Sequence, residues 1–229
     1  MGTLNSNRKG YIQGPSASSY EGAWDGESGT AYDAQTGNAV SAIQYFFSTG
    51  RGGGTHRFTR AFIHFDTSGI SGGSSFSLVV PSCAGSTASN NNVIAVKHSA
   101  GEGTGLELDN ADFNNIDRDE LTAYSAATSW ASSGNVSLSL NATAASDIIN
   151  NSHFNIAIIL NHDYEAEDEG PLEESGNISN GIAFGDTIYL SYTDPVSGYT
   201  HDVNTVAAAN IGKVNTVATA NIGKINTVD

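Results

Sequence analysis

At 229 residues the chain can hold one large domain or two small ones, with a sizeable core. Nine Lys plus Arg stand against 24 Asp plus Glu, a net charge of −15, and such a surface repels nucleic acid and anionic membranes. The single cysteine, Cys83, excludes an internal disulfide, and no stretch approaches the roughly 20 apolar residues of a membrane span.

In chain order, "MGTLNSNRKGYIQG" lacks the apolar run of a signal peptide, so synthesis in a cytoplasm without export is expected. Residues 1–15 read as an N-terminal arm. Trp24 follows in a Gly-rich loop with Tyr20 and Tyr32 nearby, a grouping that suits a sugar platform. "AVSAIQYFF" (39–47) is the first apolar, β-branched and aromatic run, and reads as a strand. "GRGGGTHRFTR" (50–60) reads as a hairpin loop. Its Arg51, Arg57 and Arg60 are expected to meet acids on a neighbouring subunit. "RAFIHFD" (60–66) alternates as a strand, with Phe62 and His64 on one face and Ala61, Ile63 and Phe65 on the other. His64 and Asp66 therefore share a face.

Strands are also expected over 76–82, 92–98, 135–141, 154–161 and 187–194, separated by Gly, Asn, Ser and Asp turn chemistry. "FNIAIIL" is apolar on both faces, as a central strand is. Helix is expected over 141–150, capped by Asn141 or Thr143, and over 117–127. Two acidic stretches could offer oxygens to a structural Ca²⁺: one with Asp109, Asp112, Asp117 and Asp119, the other with Asp163, Glu165 and Glu167. Neither has EF-hand spacing. The six histidines show no His-x-x-x-His pattern, and phosphate-loop and serine-elbow motifs are absent. No carboxylate pair stands out for acid–base work, so no catalytic residue and no cofactor beyond that Ca²⁺ are expected.

The chain ends in a phrase said twice and begun a third time, Asn-Thr-Val-Ala-x-Ala-Asn-Ile-Gly-Lys-Val/Ile, over 204–229. Val206, Val217 and Val228 recur at one phase, Ile211 and Ile222 at a second, Val214 and Ile225 at a third. Eleven residues are close to three helical turns, which puts these positions on one stripe. Each unit reads as one or two helical turns, capped by Asn and ended by Gly. A single unit buries almost nothing, and isolated helices below about 12 residues are marginal. The tail, behind a linker at 196–203, is therefore expected to dock or oligomerise on another chain.

Four landmarks carry a resemblance: "RFTRAFIHFDTSGISG" (57–72), "LELDNADFNNID" (106–117), "SLSLNATAASDIINNSHFNIAIILNHDYE" (137–165) and "GDTIYLSYTDP" (185–195). Together, over residues 16–195, they resemble DNRLRE-type β-sandwich modules, jelly rolls similar to carbohydrate-binding modules. The resemblance implies an all-β, antiparallel jelly-roll β-sandwich, a core position for Trp130, and Ca²⁺ in loops. The tail phrase resembles the ends of structural proteins of marine phages. The expected function is a non-enzymatic virion protein of a tailed phage: a capsid decoration, fibre or tail component. It would form a homo-oligomer, a trimer or larger ring, with other virion proteins as partners. The alternative is a carbohydrate-binding module that attaches to host or surface glycans.

Overall fold

The computed structural model describes residues 1–34, 41–50, 53–81, 83–85, 92–99, 108, 110–114, 116, 121–130, 134–165, 178–184, 188–195, 213–214 and 217–218. The elements of the first unit, Met1–Thr193, begin with β1 (Gly2–Asn5), β2 (Arg8–Gln13), α1 (Tyr20–Trp24), β3 (Thr30–Ala34), β4 (Ser41–Gly50), β5 (Gly53–Asp66) and β6 (Ser74–Val80). Next come β7 (Cys83–Gly85), β8 (Asn92–Lys97), a 3-10 turn (Asn110–Asn114), β9 (Thr128–Ser129) and β10 (Val136–Ser139). The unit closes with α2 (Ala142–Asn150), β11 (His153–Leu160), α3 (Asn161–Tyr164), β12 (Ile178–Phe184) and β13 (Tyr189–Thr193). The second unit, Asp194–Asp229, contains β14 (Lys213–Val214) and β15 (Val217–Ala218).

The protein is mostly β, and every strand pair among the described residues is antiparallel. One open sheet runs β1-β13-β6-β10, and a larger one runs β7-β12-β4-β5-β11-β8-β9, with β2 and β3 attached through β5. A single cluster of buried side chains draws on both sheets, from Leu78, Val80, Leu138 and Leu190 to Phe62, Val96, Ile156 and Ile158. Each such side chain contributes roughly 1.5–3 kcal/mol of hydrophobic stabilisation. Trp130 lies in this core, 5% exposed. β11 is buried on both faces from Ile156 to Leu160, as its unbroken apolar run requires.

Strand β5 organises the larger sheet. Its first half pairs with β4 from Gly53 to Thr59, and its second half pairs with β11 from Ala61 to Asp66. The change of partner falls at Arg60. β2 pairs with β5 from Thr59 to His64.

Several expectations are corrected here. Residues 1–15 are not an arm: β1 joins one sheet, β2 the other, and the backbone N–H groups of Ser6 and Asn7 donate to Ile188 and His64. Most of the expected Gly-rich loop is strand, because residues 53–60 complete β5. Gly54 stands opposite Thr49, and its missing Cβ leaves room for the Phe47 ring. The helix expected over 117–127 does not form in its described part. Ala123 bridges to Val96 and Ser125 to Leu140, so cross-strand bonding overrides a modest helical preference. In the tail, Lys213↔Ala218 and Val214↔Val217 pair as a β ladder where helical turns were expected. Val206, Ile211, Ile222, Ile225 and Val228 lie outside the described residues. The helix expected over 141–150 is present as α2, with Asn141 as its cap: the side-chain oxygen accepts from the Ala144 N–H.

Candidate functional site

Alternation along β5 sends every second side chain to one face. From His56 to Asp66 that face reads His56, Phe58, Arg60, Phe62, His64, Asp66. Polar and aromatic groups are therefore strung along a buried seam, and the seam falls into three parts.

At the first end, Tyr45 pairs its hydroxyl with His56 Nδ1 at 2.9 Å, and Tyr20 pairs its hydroxyl with His162 Nε2 at 2.9 Å. The Tyr20 ring makes edge contacts with Tyr45 and Phe58, with centroids 5.7 and 5.4 Å apart.

At the centre, Arg60 is 1% exposed and meets Asp163 of α3. Its Nε and Nη2 each donate to one carboxylate oxygen at 2.8 Å. Nη1 donates to the Phe113 carbonyl at 2.9 Å, and the guanidinium lies 4.2 Å from the Phe113 ring centroid. A buried bidentate pair of this kind satisfies both charges inside the protein.

At the far end the seam opens into a cleft of about 540 Å³ where β8 ends and β11 begins. Its polar lining includes His64, His98, His153, Asn150, Asn155, and the Lys97–Asp147 pair. Arg8 stands opposite His64 on β2, and Asn155 stands opposite His64 on β11. The β11–β8 register, Ile156 against Lys97, continues to place His98 beside Asn155. Three polar side chains thus form one row across β2, β5 and β11, and His98 follows at the end of β8. Two of them hold buried polar atoms without a hydrogen-bond partner, Arg8 Nη1 and Asn155 Oδ1, while the His98 ring is met only by the backbone of Ile63 and Ile156.

Burial lowers the His98 pKa to about 3, against an opposing pull from the backbone of Ile63 and Ile156. Burial also lowers His64, to about 4, helped by His153 and Arg8 and opposed by Asp66. His64 Nδ1 donates to Asn7 Oδ1 at 2.7 Å, and the His64 and His153 rings lie 5.1 Å apart. On the cleft's other wall the Tyr124 hydroxyl donates to Asp147, which also accepts from Lys97 Nζ at 3.0 Å. Burial, then the Asp147 hydrogen bond and charge, push the Tyr124 hydroxyl pKa up.

The residues singled out in the sequence have these fates. His64 and Asp66 do share a face of β5. Asp66 Oδ1 accepts from the Ser68 N–H and hydroxyl at 3.1 and 2.6 Å, which lowers its pKa. Trp24 is half-buried, and its indole N–H donates to the Asp163 carbonyl at 3.1 Å. The Tyr20 ring, also half-buried, makes internal contacts with Tyr45 and Phe58. Tyr32 belongs to β3, and its side chain lies outside the described part.

Asp163 cannot serve Ca²⁺ while both its oxygens hold Arg60. Asp112 is 7% exposed within the 3-10 turn, and Glu165 is half-buried after α3. Asp109, Asp117, Asp119 and Glu167 lie outside the described residues, as does Arg51. Among the described residues, no three His, Cys, Asp or Glu side chains group to hold a metal ion. Arg60 is buried and pairs within its own chain, so it does not fit the intersubunit role expected of it, and Arg57 lies 5.0 Å from the Phe46 ring centroid. Sequence reasoning missed the cleft because its histidines come from β5, from β11 and from the residue after β8. The one available signal was the alternation that puts His64 on a face with Phe62.

No family model matches the chain, and no curated protein matches it. Among the described residues, no helix is long and apolar enough to cross a membrane.

Proposed function

We propose that the chain is a non-enzymatic structural protein of an assembled particle, a jelly-roll β-sandwich held in place by its C-terminal repeats. A capsid decoration, fibre or tail component of a tailed phage is the setting this reading favours. The observation that carries it is the recurrence, within a unit of its own, of an eleven-residue phrase whose aliphatic positions are kept from copy to copy. Flexible linkers are built from Gly, Ser and Pro without an apolar phase.

The ladder between β14 and β15 is two residues deep. A two-stranded hairpin is marginal on its own and is stabilised by further strands or a packed face. A neighbouring copy or a shell protein would supply that face and bury the valines and isoleucines of successive repeats. The first unit supports the reading by what it does with its charged groups: the Arg60–Asp163 pair is satisfied internally, as in a scaffold.

Light scattering or native mass measurement of the full chain, beside a chain ending at residue 195, tests the proposal. The full chain is expected to form a homo-oligomer and the shortened one to remain a folded monomer. A shortened chain that assembles as the parent does would remove the repeats from the account.

A further inference from the structure

We propose that His64 and His153 form a two-imidazole site for a divalent transition-metal ion of the Zn²⁺, Ni²⁺ and Cu²⁺ class, at the mouth of the cleft. The site is independent of the assembly reading. It rests on the spacing and setting of the two rings.

The ring centroids lie 5.1 Å apart. Two imidazoles on one tetrahedral ion, each with a metal–nitrogen distance of about 2.0–2.1 Å, place their centroids about 5 Å apart. His153 is exposed, and His64 lines the same cleft. The His64 Nδ1–H is committed to Asn7 Oδ1 at 2.7 Å. That bond fixes the tautomer with its lone pair on Nε2, and it is the outer-shell contact that metal-binding histidines usually carry.

The surroundings suit a cation. Asp66 stands opposite His153 and the whole chain carries −15, while Arg8 opposite His64 is the local opposing charge. Asn155 Oδ1 adds unspent hydrogen-bonding capacity in the same cleft, suited to a water molecule on the ion. Imidazole nitrogens select zinc, nickel and copper, whereas Ca²⁺ requires six to eight oxygens. With two protein ligands and the rest water, the ion is exchangeable rather than a fixed part of the fold.

Isothermal titration of the chelator-treated full chain with NiCl₂, ZnCl₂ and CaCl₂ tests the site. One Ni²⁺ or Zn²⁺ per chain is expected, with no Ca²⁺ heat of the same stoichiometry. His153→Ala should weaken Ni²⁺ by at least tenfold while the metal-free melting temperature stays put. Asn7→Ala, which frees the His64 ring, should weaken it by about tenfold. In the parent, saturating Ni²⁺ should raise the melting temperature, and in His153→Ala it should not. His201→Ala is the control and should titrate as the parent does. The proposal fails if neither Ni²⁺ nor Zn²⁺ binds, if His153→Ala binds as tightly as the parent, or if His201→Ala alone abolishes the heat.

Discussion

At the scale of single residues, Arg60 and His98 show two ways of burying a titratable group. Arg60 is matched: a carboxylate and a carbonyl receive its hydrogen bonds, and an aromatic ring lies against it. Removing one partner strands the other charge in the interior. Arg60→Met should therefore cost about 3–5 kcal/mol, read as a shift in the urea midpoint. Arg60→Met combined with Asp163→Leu should cost less than Arg60→Met alone, because no charge is left unpaired. A double variant as unstable as the sum of the singles would refute this account of the pair.

His98 has no charged partner, only the backbone of Ile63 and Ile156, and the cost of its burial appears with pH. Unfolded, its imidazole titrates near 6.5; folded, it stays neutral down to about pH 3. Protons thus bind the unfolded chain first as the solution is acidified. The stability tied to this group is complete above pH 6.5 and drains away between pH 6.5 and about 3. The slope is at most about 1.4 kcal/mol per pH unit. His64, lowered to about 4, adds to the loss in the same window. Urea midpoints at pH 7.5 and 4.5 should differ less in His98→Leu than in the parent, and equal differences would rule out this role for His98.

At the scale of elements, α2 is held by the residue that caps it. Asn141 uses its side chain twice: Oδ1 accepts from Ala144 N at 3.0 Å, and Nδ2 donates to the Ala123 carbonyl at 2.7 Å. Asn141→Ala should lose about 1–2 kcal/mol in chemical denaturation. Ser146→Ala, which removes only an exposed contact to Asn150, should stay within about 0.5 kcal/mol of the parent. A cap variant as stable as that control would mean tertiary packing alone sets the helix start.

The cap was legible because it is local chemistry, written within four residues. The second half of β5 was legible for the same reason, since alternation is a local pattern. Its first half was hidden by glycines that favour turns in isolation, yet here let a strand lie close to the Phe47 ring. The segment after residue 120 was misread because its bridges come from Val96 and Leu140, far along the chain. The tail ladder is local, and it was misread because an eleven-residue period suits three helical turns. The candidate site was less legible still. His64 and His153 become neighbours only through the β5–β11 register, and Arg60 finds Asp163 only after the chain has passed through β11.

At the scale of the whole molecule, the two ends of the chain should respond to truncation in opposite ways. β2 lies between β3 and β5, and β3 has no other described strand partner. Deleting residues 1–15 therefore frees both β3 and the β2-facing edge of β5. It also removes Ile12 from the core and Gly14, whose missing Cβ leaves space for the Phe113 ring beside Arg60. Exposed edges of that length invite intermolecular pairing. The deletion should yield insoluble chain, or soluble chain without a cooperative transition. Removal of residues 196–229 takes away most of a unit with its own internal contacts and none of the described strands of the two large sheets. Cooperative unfolding should persist there, with a midpoint near that of the full chain at a concentration where neither associates. The comparison is decisive because an N-terminal arm could be removed without loss of cooperative unfolding. A soluble, cooperatively unfolding chain that begins at residue 16 would show that β1 and β2 are accessories to the sheets, and that the pairing of β5 with β4 and β11 suffices to hold them.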